Sequence, residues 1–456
     1  MGLAGEIARR VSALNYDNVP PEAHRWSRIA VMDTLGCMLA GTLEDSTRLV
    51  RESCGAEFEQ GPCRVFGTTR KIGPLNAALI NGTAAHALDF DNGSNTMGGH
   101  VSATMVPAML AAAELFGASG RDLLLGHSAG FEVGTHIGRA VNFAHYEKGW
   151  HPTSTLGTFA VIGALAAMLK LPPEQTETAL GTGASMAAGI KANFGTMTKP
   201  LHVGLCAKNG LLAVMLARKG YDASATAFEH KHGFFNVYNG PGTYDAAKVL
   251  PDWAAPLEII SPGAGYKQYP CCAATHAALD ATLELIRRHG SFRPAQIAKV
   301  ETWTPARRLA HTDRPEPISN LDAKFSVQYC VTRMLLEGRI LLQHFEADAY
   351  RHLVTREVMK RVTSVTHRAG QFPVDNHFGA EVKVTLTDGA SHSARVDIQL
   401  GRTSDNPVPE PLLRAKFHHC AGRVLDGKQV DRLTTLVDGL PELTSVAELT
   451  AAATPG

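Results

Sequence analysis

The 456-residue chain carries 44 basic and 43 acidic side chains, a formal net charge of +1, which leaves no electrostatic footprint for nucleic acid or an anionic membrane. Only 19% of its residues are charged, 45% are apolar and 43 are glycine, a composition that fills two or three domains with closely packed helices and is compatible with an oligomer. Its eight cysteines form no Cys-x-x-Cys pair and read as reduced, buried thiols of a cytoplasmic protein, and the N-terminus, with Glu6 and no long apolar core, is not a secretory signal.

In chain order, residues 23–41 show apolar side chains at helical spacing, opened by Pro20-Pro21 and closed by Gly41. A glycine-dotted connection over 45–72 leads to a helix of small residues, Pro74–Leu88. This helix runs into Asp89-Phe90-Asp91-Asn92-Gly93, a turn signal, and the loop continues to Gly98-Gly99-His100. Helices are predicted over Thr104–Phe116 and Gly120–Val141, the second kinked near Gly134. His145–Ser154 is a loop, and Pro152 starts the helix Thr155–Leu171, too short for a membrane span and ended by Pro172-Pro173. Glu174–Gly189 and Val203–Lys219 are further helices. Between them, Lys199 precedes Pro200, which predicts an extended or turn conformation at a helix boundary.

After about Pro262 the period changes. Ile297–Thr304 alternates, Glu381–Leu386 places Val382, Val384 and Leu386 on one face, and Asp388-Gly389 is a hairpin signal before the alternating Ala394, Val396, Ile398 and Leu400. Helices at 272–289 and 324–337 accompany these strands, and the tail returns to helix at Pro411–Val424 and Val430–Leu440. The pattern predicts a mainly α protein: a large helical domain from 1–262 and 403–456, with an inserted smaller α+β domain over 263–402.

Four polar clusters interrupt the apolar helices at their ends, where free backbone N–H groups favour carboxylate. They are His86-x-x-Asp89-Phe-Asp91 with Gly99-His100; Tyr146 to Trp150-His151-Pro152; Lys199-Pro200-Leu-His202; and Tyr266-Lys267 with Pro270 and His276. His86, Asp89, Asp91 and His100 admit a metal site, against a reading of Asp89 and Asp91 as helix caps and His86 as a core residue, which is preferred for His86. No Gly-x-Ser-x-Gly elbow, P-loop or dinucleotide fingerprint is present. Two lysines and two histidines without a nucleotide or metal motif point to proton transfer on a polycarboxylate. Lys199 and Lys267 would bind carboxylates in one cleft, and His100 or His151 would move the proton, with Asp89 orienting and Tyr146 or Lys199 as the alternative partner.

The stretches PEAHRWSRIAVMDTLGCMLAG, NGTAAHALDFDN, GWHPTSTLGTFA, FGTMTKPLHVGLCAKNG, AKFSVQY and LLRAKFHHCAG, with the Lys267 to Pro270 segment, resemble the MmgE/PrpD family over nearly the whole chain. That family includes 2-methylcitrate dehydratase, cis-aconitate decarboxylase and iminodisuccinate epimerase. The resemblance implies action on small di- or tricarboxylates without an organic cofactor, a cleft between a helical and an α+β domain, and a homodimer. It also implies Asp89, His100, His151, Lys199, Lys267 and Tyr329 as active-site residues, with His202 beside Lys199. The chain departs from the family pattern at Asn92-Gly93, where Asp-Thr or Asp-Ser is usual, and at Val101, where proline is usual. The expectation is a cofactor-independent lyase. An epimerase of an iminodisuccinate-like substrate is the alternative, and a non-catalytic helical scaffold or a metal-dependent hydrolase the competing classes.

Overall fold

The computed structural model describes residues 2–374 and 376–455. The chain divides into two compact units, one holding the chain up to Tyr266 together with Thr403–Asp405 and the segment from Pro409 onward, the other Lys267–Arg402 and Asn406–Val408.

The first unit is helical. Prolines fix the first turns of Pro21–Gly41, Pro74–Ala87 and Pro173–Ala184, where their missing N–H is no loss. A reciprocal cap between Ser119 and Asp122 starts Gly120–Val141. That helix runs uninterrupted through Gly134, where an interruption or a kink was expected. Gly134 instead admits Ala160, because a Cβ there would lie 2.8 Å from the Ala160 side chain. Gly157–Met168 is buried on every side and packs against Gly120–Val141, as an all-apolar helix must. It is shorter than the expected Thr155–Leu171. A separate turn, Pro152–Thr155, precedes it, and Lys170 in a left-handed conformation (φ 53°) follows its end.

Thr198–Ala217 lies among Pro74–Ala87, Gly157–Met168 and Pro173–Ala184. It is long and apolar enough to cross a membrane, yet it serves here as a central helix of the unit. It crosses Pro74–Ala87 at Gly82 and Gly204, where a Cβ on Gly82 would come within 2.8 Å of the Gly204 Cα and one on Gly204 within 2.2 Å of the Leu79 carbonyl oxygen. Lys199 belongs to its first turn rather than to an extended approach. The proline ring clashes with a preceding helical turn, and at a helix start there is none. The region 45–72, expected as a plain connection, holds the helix Asp45–Ser53 and a short antiparallel ribbon, Cys63–Arg64 with Lys71–Ile72.

In the second unit a four-stranded sheet runs in the order Val362–Thr366, Ile297–Thr304, Ala380–Leu386, Ser391–Val396. The first pair is parallel and the others antiparallel, with Val300 opposite both Val362 and Val384. The hairpin turns at Asp388-Gly389, with Gly389 at φ 89°. The strand ends at Val396, short of the alternation expected to Leu400. His276–His289 and Val327–Glu337 cover the sheet, and Leu279, Leu285, Val331 and Met334 join Val300, Val382 and Val384 in one core.

Candidate active site

Pro74–Ala87 ends in a polar cluster. Asp89 follows in the left-handed region (φ 52°), with its N–H donating to the His86 carbonyl at 3.0 Å. Aspartate tolerates this conformation better than most residues, and it directs the chain into the loop Asp89–Gly93. His86 Nδ1 lies 2.8 Å from Asp91 Oδ1, and His100 Nδ1 lies 2.9 Å from Asp91 Oδ2. The His100 Nδ1 is also 3.1 Å from the Asn92 carbonyl oxygen. The His100 backbone N–H donates to Thr153 Oγ1 at 3.1 Å, so the Gly98-Gly99 turn seats the imidazole on the start of the next helical turn. Only glycine fits at 99, since a Cβ there would lie 2.6 Å from the Thr153 nitrogen.

An ionised carboxylate only accepts hydrogen bonds, so both Nδ1 atoms facing Asp91 carry hydrogen and each ring keeps Nε2 for proton exchange. Burial would raise the Asp91 carboxyl, but the two imidazoles outweigh it and hold it well below the usual carboxylate range. Burial lowers His86 to about 4, against the pull of Asp91 and with help from Lys199, so its ring is neutral near pH 7. The two Nε2 atoms lie 3.9 Å (His86) and 3.7 Å (His100) from Asp89 Oδ1, beyond hydrogen-bond length. That same oxygen accepts from Lys199 Nζ at 2.7 Å.

A second imidazole pair adjoins the first. His151 Nδ1 and His202 Nδ1 are 3.2 Å apart, so one donates and the other accepts. The His151 ring lies 6.2 Å from that of His86 and meets Phe194 edge-on, and the Lys199 ammonium lies 5.4 Å from the Phe194 ring centre. Burial first, and the Lys199 charge second, push His151 well below the ordinary imidazole value and lower His202 as well.

Asp89, His100, His151, Lys199 and His202 therefore converge within the first unit. Tyr146 sits on the short helix Ala144–Lys148 with the Lys191 ammonium 3.6 Å from its ring centre. Lys267 opens the second unit and is buried. Tyr329 lies in the second unit's core, where its hydroxyl donates to the His344 carbonyl and accepts from Arg333 Nε at 3.0 Å. Two participants were not foreseen as such. Asp91, left open between a metal ligand and a helix cap, faces both histidines. His86, expected as a satisfied core residue, is buried with an Nε2 that makes no hydrogen bond. The spacing His86-x-x-Asp89-x-Asp91 at a helix end is the signal that carries them.

His86, Asp89 and His100 offer donor atoms within 4.8 Å of one another. The Lys199 ammonium already occupies Asp89, a fixed positive charge where a metal ion would have to lie, and the set fits a cation poorly.

The model of the MmgE/PrpD N-terminal domain matches residues 5–247, and that of the MmgE/PrpD C-terminal domain matches residues 269–441. The chain belongs to the MmgE/PrpD family. It is 29% identical over 459 residues to the cis-aconitate decarboxylase of Homo sapiens, covering 97% of this chain and 93% of the relative. It is 27% identical over 472 residues to the cis-aconitate decarboxylase of Aspergillus terreus, covering 98% and 95%. In this MmgE/PrpD chain the departures have local structural settings. Gly93 exchanges backbone hydrogen bonds with Gly265 at 2.9 and 2.7 Å, and Val101 is buried as the residue preceding Ser102–Phe116.

Proposed function

We propose that the chain is a lyase that takes a proton from the carbon next to a carboxylate of a small di- or tricarboxylic acid. The observation that carries this reading is the Asp91–Asn92 segment: Asp91 Oδ1 accepts the Nδ1–H of His86, the Asn92 carbonyl accepts that of His100 with Asp91 Oδ2 at 2.9 Å, and both rings keep Nε2 for the side of the Asp89–Lys199 pair. His100, at 17% side-chain exposure against 0% for His86, is the imidazole a substrate can reach and is assigned as general base. The Lys199 ammonium binds a substrate carboxylate and stabilises the charge that develops on it. The proton passes from the substrate carbon to His100 Nε2. The electron pair it leaves is delocalised into the adjacent carboxylate, and its return forms the double bond and expels hydroxide from the neighbouring carbon, which takes the proton back from His100 and departs as water. His151, held neutral beside His202, is the second imidazole available to a bound acid. The decarboxylase names of the relatives support a lyase outcome.

Gly93, with no hydroxyl where the family usually has one, favours an epimerase as the second reading: the carbanion-like intermediate is then reprotonated on its other face. Incubation with a panel of di- and tricarboxylates in heavy water, followed by NMR, tests both. A lyase incorporates deuterium and releases either water, by the elimination above, or carbon dioxide, in which case the breaking C–C bond supplies the electron pair and an imidazole delivers the proton that takes its place. Deuterium with inversion and no release assigns the epimerase. A folded protein that exchanges no substrate proton overturns both readings in favour of a scaffold.

A further inference from the structure

Two stretches that carry the family resemblance, one containing Asp33 and the other Lys416, take no part in the chemistry above. They lie on Pro21–Gly41 and Glu410–Ala421, which pack together in the first unit. Lys416 Nζ is 2.6 Å from Asp33 Oδ1. The same ammonium donates to the Phe90 carbonyl oxygen at 2.5 Å and lies 3.9 Å from the Phe90 ring centre. Asp33 Oδ2 accepts from both the backbone N–H and the side-chain Nδ2 of Asn92, each at 3.0 Å. The ion pair thus holds Phe90 and Asn92, the two residues flanking Asp91. The Asn92 carbonyl in turn faces His100 Nδ1.

Packing alone does not call for such a pair, because well-fitted apolar side chains fill a helix interface as stably as a buried ion pair or more so. Burial alone would lower the Lys416 pKa, but Asp33 together with the Cys37 and Cys420 thiols outweighs it and the ammonium keeps its proton.

We propose that Asp33 and Lys416 are positioning residues, whose buried ion pair fixes the Asp89–Gly93 loop so that Asp91 holds His86 and His100 in their Nδ1–H tautomers. The role in turnover rests on the reading of this cluster as the proton-transfer site, while the tautomer effect does not. The test uses the full chain with Asp33→Asn and Lys416→Met, following histidine ring nitrogens by long-range proton–nitrogen NMR together with steady-state kinetics. Expected are loss of the Nδ1–H signature at His86 and His100, an unchanged signal from the buried His127, and a fall in kcat of about tenfold or more with a smaller change in KM. Wild-type tautomers at both rings in folded variants overturn the proposal. Should Lys416→Met fail to fold, the isosteric Asp33→Asn decides. If the native protein turns over no polycarboxylate, the functional reading fails, and the tautomer comparison still decides the positioning role.

Discussion

Lys199 Nζ meets Asp89 Oδ1 at 2.7 Å across 110 residues of sequence. The contact joins the first turn of one helix to the left-handed residue that terminates another, and it sets an ammonium beside His86 and His151, which burial keeps neutral. Charge for binding an anion and a lone pair for taking a proton are thereby brought together.

Removing this lysine has two separable effects. Lys199→Met is expected to destabilise the fold by about 3–5 kcal/mol, because Asp89 stays buried without its cation, and to abolish binding of the acid. Adding Asp89→Asn should restore much of the stability and none of the turnover. Urea titrations of the single and double variants, with kinetics, check this; full activity in either variant would contradict it.

Asp91→Asn conserves shape but removes the acceptor charge that fixes two tautomers. Turnover and solvent deuterium exchange should both fall by about 10²-fold or more, as they should for His100→Gln. An Asp91→Asn protein exchanging the substrate proton at the native rate would remove Asp91 from the mechanism.

Stability should depend on acid in a defined window. Unfolded, a histidine takes up its proton near 6.5, whereas in the folded chain burial lowers His86 and His145 to about 4 and His127 to about 3. Between these values the unfolded state binds more protons, so stability rises with pH. The contribution of these rings is complete above about 6.5 and is lost as pH falls toward 4 and below. Unfolding free energies between pH 8 and 4 measure it, and a flat profile from pH 7 to 5 would refute it.

None of the eight cysteines is in a disulfide, and Cys54 and Cys272 alone among them are partly exposed. A thiol reagent should therefore label the native protein at these two positions and all eight after denaturation. Prompt labelling of Cys37 or Cys420 in the native state would show an opening between the helices that carry Asp33 and Lys416.

Much of the fold is legible where one local rule acts alone. Gly120–Val141 is marked by its cap and its period, Ile297–Thr304 by alternation, and the hairpin by Asp388-Gly389. Errors arise where two rules compete. Lys199 precedes a proline but stands in a first turn, and Gly134 resembles a break but is a contact. The convergence of His86, His100 and Lys199 on the two aspartates is less legible, since it depends on a glycine turn bringing His100 back and on two helices crossing. Asp91 shows the limit most clearly: one short polar side chain at a helix end reads as a cap or a metal ligand until its partners are placed.

The crossing at Gly82 and Gly204 acts as a pivot. His86 lies about one turn along its helix from this point, and His202 and Lys199 lie within about a turn and a half on the other helix. The missing side chains bring the axes close enough for the ends of both helices to share one small volume. A methyl group at either glycine would act as a wedge, and the displacement would grow with distance along both arms to reach the Lys199–Asp89 contact. The reach of the lysine is thus set in part by atoms that are absent, at two positions that bear no chemistry of their own.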